Sequence, residues 1–264
     1  MNKKKIVFAV LLASAMVFGS LGAQTTAGAA NGMTLNGSTG LIVVPDARVG
    51  WENSDFGIDV GYGVVWSGGD QIDHMPRVAL SLVRRFEISG LMQIGNDEIR
   101  NFIIGGKFQM FKDRGAALAL GGDYEFAKNN FDGQENDSAK LYLAATYGGN
   151  FFNMPAITTA TFGWQLLEVG NLSSQFVYGM GFSMGLFPSV FKDYVYWITD
   201  FSNFSYAVVG SRVNAGSRGA FNTGIRIHPV KDGKFNLVID VTGTDLLDDG
   251  DRGMAATVSG GMAF

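Results

Sequence analysis

Through most of this chain apolar side chains return at every second position, and no other property narrows the fold as far. Over residues 55–66, Phe56, Ile58, Val60, Tyr62, Val64 and Trp66 share one parity, while Asp55, Gly57, Asp59, Gly61 and Gly63 share the other. A helix gathers its apolar residues at spacings of three and four, so spacing of two means a strand with unlike faces. The pattern returns at 101–110, where Phe102, Ile104, Phe108 and Met110 oppose Asn101, Lys107 and Gln109. At 116–126, Leu118, Leu120, Tyr124 and Phe126 oppose Asp123 and Glu125, and at 253–264 Met254, Val258, Met262 and Phe264 alternate with Thr257, Ser259, Gly261 and Ala263. With the segments 77–86, 88–94, 140–147, 156–167, 175–187, 203–214, 218–228 and 234–243, roughly twelve strands result, each near the ~9–11 residues that a tilted strand uses to cross a bilayer.

The chain opens on a basic stretch containing Lys3, Lys4 and Lys5, followed by an apolar run over 6–19 and then small residues. This is the tripartite pattern of a secretory leader, with cleavage expected after Ala23 or Ala29. Residues 1–29 are therefore assigned to the leader, 30–54 to a separate N-terminal segment and 55–264 to the repeating body. The sequence holds no Cys, which excludes both a disulfide framework and a lipid anchor on cysteine. Charged residues make up 17% against the ~25% usual in globular chains, while hydrophobic residues reach 47% without forming a long apolar stretch beyond the leader. The net charge of -4 gives no support to a nucleic-acid partner.

Apolar content diluted by strict alternation suits a sheet with lipid on one side and water on the other. In hydrocarbon every backbone N–H and C=O must be paired inside the protein, which leaves helices and closed barrels. The expected fold is therefore all-β, a transmembrane antiparallel up-and-down β-barrel of about twelve strands, an even number as in bacterial single-chain barrels. Lys112-Asp113-Arg114-Gly115 reads as a turn whose Gly takes the positive φ, and 231–233 as another turn. Polar stretches near Asp70, Asn130, Asn171, Gly216 and Asp249 read as loops at the opposite end, mostly longer than these turns. Val190, Phe191, Tyr194, Trp197 and Ile198 recur at three and four, so a short interfacial helix is expected within 188–200. The terminal residues, with Met262 and Phe264, resemble the carboxy-terminal signature of bacterial outer-membrane proteins, offset by one residue at Ser259-Gly260. That resemblance implies an outer-membrane location, contact with membrane lipid and recognition by the outer-membrane assembly machinery.

Inward parity collects Asp59, Arg77, Arg85, Lys107, Asp123, Glu125, Lys140, Arg218, Arg226, Lys234 and Asp240 as lumen-lining candidates, with Glu87 and His228 on the same face. A Lys or Arg facing lipid at the midplane costs ~2–4 kcal/mol, which argues for the inside. A mixed-charge wall beside Gly57, Gly61, Gly63, Gly179, Gly181 and Gly185 suits a porin-like passage for small polar solutes. The same charges also suit a closed barrel with an internal ion-pair network, serving a structural or surface-interaction role. A third reading, uptake of hydrophobic small molecules, draws on the Phe- and Met-rich strand 175–187 and needs a lateral opening there. No enzyme is expected: His74 and His228 are the only histidines, and neither stands with a nucleophile and an orienting group. Asp245, Asp248, Asp249 and Asp251 read as an acidic solvated loop, and no metal or cofactor is called for.

The segment Thr39-Gly40-Leu41-Ile42, with Pro45 and Ala47-Arg48, is followed by Gly57-Ile58-Asp59-Val60-Gly61-Tyr62. It resembles the opening of the YjbH-type outer-membrane proteins, a group linked to exopolysaccharide loci and generally much longer. The resemblance implies an envelope-polysaccharide connection. The residues themselves give a short apolar stretch broken by Pro45, too brief to span a bilayer, which either plugs the lumen or pairs at the periplasmic mouth.

Overall fold

The computed structural model describes residues 32–67, 71–95, 98–128, 135–169, 171–206, 219–231, 233–247 and 252–264. The leader assigned to 1–29 and the candidate Arg218 lie outside them. Two short strands, β1 (Gly32–Met33) and β2 (Thr39–Gly40), pair with each other. Twelve long strands follow: β3 (Phe56–Ser67), β4 (Gln71–Leu82), β5 (Phe86–Gly95), β6 (Glu98–Asp113), β7 (Ala116–Lys128) and β8 (Glu135–Phe151). The second half comprises β9 (Met154–Val169), β10 (Asn171–Gly185), β11 (Val195–Ser202), β12 (Ala220–Lys231), β13 (Phe235–Thr244) and β14 (Gly253–Ala263). Each pairs antiparallel with its chain neighbour, and β14 pairs with β3 from Met254↔Trp66 to Ala263↔Gly57. The sheet is closed, which removes every edge.

Alternation decides which side chain meets what. Phe102, Ile104, Leu118, Leu120, Phe126, Leu141, Phe162 and Val241 are exposed on the outer wall, while Asn101, Lys107, Gln109, Glu125, Lys140 and Asp240 are buried inside. Aromatic residues collect on the outer wall towards both ends. At the end carrying short turns are Phe56, Phe86, Phe151, Phe152, Phe187, Phe235 and Phe264; at the other are Trp66, Phe102, Tyr124, Phe126, Trp164 and Phe176. Two such girdles are how a barrel seats itself between two interfaces.

Two local expectations need correction. Gly115 does not carry the positive φ of its turn; Arg114 does, at 49°. Gly115 is required for another reason, since a Cβ there would stand 2.6 Å from the Gly148 carbonyl oxygen. The helix expected within 188–200 is confined to α1 (Pro188–Phe191), and 195–202 is the barrel strand β11. β11 takes the place that the sequence assigned to 203–214; of that stretch the described residues 203–206 are outside any strand.

Candidate functional site

The barrel interior is occupied. Residues 33–47 are buried throughout, and their backbone polar groups bond to inward-facing side chains around the wall. Pro45 and the paired β1 and β2 fold this stretch back on itself, with Leu35 N–H donating to the Ile42 carbonyl. Folded so tightly, it leaves many N–H and C=O groups without partners of its own, and burial demands partners for them.

The wall supplies them with charged groups. One oxygen of Asp200 accepts the N–H groups of Ile42, Val43 and Val44 at 2.9, 2.7 and 3.0 Å. Successive amides converging on one carboxylate form an anion nest, built here by the inner segment around a wall residue. Asn222 donates to the other Asp200 oxygen at 2.7 Å. Arg226 donates to the Gly40 and Leu41 carbonyls at 2.9 and 3.0 Å, and its Nε and Nη2 hold Asp240, each at 2.9 Å. Bidentate pairing of this kind fixes orientation as well as charge. Across the lumen, Thr39 N–H donates to Glu87 at 2.8 Å and Lys107 Nζ donates to the Thr39 carbonyl at 3.0 Å. The Thr39 hydroxyl also meets Glu87. Arg77 reaches the Thr34 carbonyl, Gln109 the Ala47 carbonyl and Thr161 the Pro45 carbonyl, while Ala47 N–H donates to Thr146.

Asp46 belongs to the inner segment and stands against Arg48 at 2.8 Å and Lys107 at 3.9 Å. Burial pushes its carboxyl up, but the two cations outweigh that and hold it below the usual carboxylate value. Asp59 accepts the Trp51 indole N–H at 2.8 Å and an Asn236 amide at 3.0 Å. Lys140 pairs with Asp123 at 2.9 Å, both on the wall.

Of the residues expected on the lumen wall, Asp59, Arg77, Lys107, Asp123, Glu125, Lys140, Arg226 and Asp240 occupy inward positions. Arg85 does not: it lies in the exposed turn between β4 and β5. Lys234 is likewise exposed, one residue before β13 begins. In both cases the parity was extended past the strand end, where the chain is already turning. Asp200 was missed because a helical reading covered it. The even-numbered run Tyr196, Ile198, Asp200 and Ser202, all buried, is the signal that finds it.

The inner-face glycines have a different use from an open lumen. A Cβ on Gly179 would meet Val44 at 2.7 Å, one on Gly181 would meet Leu41 at 2.6 Å, and one on Gly57 would overlap the Trp51 ring. At these three positions the volume given up is taken by the inner segment, while Gly63 and Gly185 are closed in by the wall residues Thr257 and Pro155. β10 pairs with β9 over 171–184 and with β11 over 179–185, and beyond β11 Asn203 bonds the backbone of Phe176 and Tyr178.

No protein family and no curated protein sequence matches this chain. Its likeness is to solved structures. The NanC porin superposes with a TM-score of 0.54 at 10% identity, covering 78% of this chain and 100% of that one. The KdgM porin gives 0.50 at 7% identity over 78% and 99% of the two chains, and KdgM in complex with disordered oligogalacturonate gives 0.50 at 8% over the same shares. At such identities the likeness is one of fold alone, the closed antiparallel β-barrel.

Proposed function

We propose that this protein is an outer-membrane porin-type barrel for small polar solutes whose passage is occluded by its own residues 32–54. The observation that carries the reading is the way the inner segment is held. Its bonds run from backbone groups to Asp200, Arg226, Glu87 and Lys107 on the wall. Displacing the segment would uncover walls already lined with both signs of charge, which water and polar solutes solvate readily. An interior evolved only to be filled could use apolar side chains, since buried ion pairs contribute little net stability against apolar replacements. The two aromatic girdles and the closed sheet support residence in a bilayer, and the fold shared with NanC and KdgM supports an outer-membrane porin.

The test is planar-bilayer recording on refolded full chain and on a variant lacking residues 32–54. The full chain should be silent or open rarely, and the truncated barrel should give steady conductance steps. A correctly folded truncated barrel without conductance would remove the passage and leave a filled structural barrel. Such a barrel would fit the envelope-polysaccharide connection implied by residues 39–48.

A further inference from the structure

At the short-turn end, below the inner segment, is a cavity of about 440 Å³. That is within the ~300–1,000 Å³ range of small-molecule sites. It is lined jointly by the inner segment, through Arg48, Trp51 and Glu52, and by the wall, through Lys112, His228, Lys231 and Asn236. Two of these carry buried polar atoms without a protein partner. His228 is 5% exposed, and both ring nitrogens lack a hydrogen bond. Asn236 gives its amide N–H to Asp59, which fixes the flip, and leaves its buried Oδ1 with no donor.

A buried polar atom without a partner is unfavourable, so two residues carrying such atoms at one cavity call for a common partner. The cations are only partly neutralised. Arg48 pairs with Asp46 and Lys112 with Glu52, whereas Lys231 has no carboxylate at ion-pair distance among the described residues: it bonds the Tyr196 hydroxyl at 3.1 Å and the Asp193 carbonyl at 3.5 Å, with the Asp193 charge acting from further off. Arg114 adds a further positive charge at the rim. A neutral imidazole offers one donor and one acceptor, and the free Asn236 oxygen accepts only from a donor. The complementary ligand therefore carries a carboxylate for Lys231 and the His228 N–H. It also carries hydroxyls that donate to the other His228 nitrogen and to Asn236.

We propose that this cavity is a binding site for a small hydroxy-carboxylate. The site does not depend on whether the barrel conducts, because every contact lies at the mouth.

The experiment uses the full chain refolded in detergent, with D-gluconate as probe and sorbitol as its uncharged counterpart. His74 and His228 are the only histidines, so selective isotope labelling yields two assignable imidazoles. His74 lies on the outer wall towards the other end, against Tyr62, and serves as the internal control. Gluconate should shift the His228 resonances saturably at one equivalent per barrel and leave His74 in place, while sorbitol moves neither. Isothermal titration should show H228A and K231M each weakening gluconate at least 10-fold. N236L should do the same. Folding of each variant is checked by the heat-dependent shift in electrophoretic mobility of a closed barrel. Overturning results are a wild type whose His228 resonances do not move with gluconate, equal shifts with sorbitol, or folded variants binding as the wild type does. If a variant fails to fold, the wild-type resonance titration decides alone.

Discussion

Asp200 shows how much one side chain can organise. It receives three consecutive backbone amides from the inner segment, none of which has another acceptor within the hairpin. Replacing it by Ala leaves those donors buried and unpaired, which costs about 3 kcal/mol at the low end and corresponds to roughly a 100-fold rise in released segment. Asp200→Asn keeps one acceptor and should fall between. The measurement is the rate at which trypsin cuts after Arg48 in the folded barrel, followed by mass spectrometry. Equal rates for wild type and D200A would mean that the nest does not hold the segment. Parity identified most of the inward charges at this scale because it depends only on a residue's immediate neighbours in sequence. It could not name their partners, which are backbone groups far away in the chain, nor that the glycines opposite them accommodate Val44, Leu41 and Trp51.

At the scale of elements, legibility depended on what faced the lumen. Strands with polar inner faces, such as β6 and β7, alternate cleanly and were read from sequence to within a few residues. Over 195–198 β11 is apolar on both faces. Val195 and Trp197 face outward, while Tyr196 and Ile198 are buried, Ile198 in a cluster with Ile42, Val43, Val44 and Val177. A strand greasy on both sides loses its period of two. The spacing of Val190, Phe191, Tyr194 and Ile198 then imitates a helix. The register tests the assignment directly. Ser183 lies opposite Ile198 across β10 and β11. Facing residues in an antiparallel pair stand about 4.5–5.5 Å apart at Cα, within disulfide reach. In this cysteine-free chain, the double variant S183C/I198C should therefore form an intramolecular disulfide on mild oxidation, visible as a mass loss and a mobility change. Cysteine at 183 with cysteine at 197 places the two on opposite faces and should not. A bridge to 197 instead of 198 would show that the register, and with it the inward position of Asp200, is wrong.

For the whole molecule, closure is the step that turns a row of hairpins into a barrel, because every other pairing joins neighbours in sequence. β14 must find β3 across the full length of the body, and loop-closure entropy opposes that search until the last rungs form. Phe264 completes the seam. Its N–H donates to the Phe56 carbonyl at 2.9 Å, and the two rings lie 5.6 Å apart on the outer wall. The ring is 70% exposed, so it is available to lipid and to an assembly factor as well as to Phe56. A hydrogen bond of about 1 kcal/mol and an aromatic pair of similar size would leave the seam weaker by about 2 kcal/mol on deletion. Deleting Phe264 should slow formation of the heat-modifiable folded band in lipid vesicles by at least several-fold. F264A, which keeps the backbone bond, should recover part of the rate, and F56A should match F264A if the pair acts through mutual contact alone. If F264A assembles poorly in cells while both variants behave alike in vesicles, the ring is read by the assembly machinery. Normal assembly of the deletion in both settings would remove the carboxy-terminal aromatic residue from any role in closing the barrel.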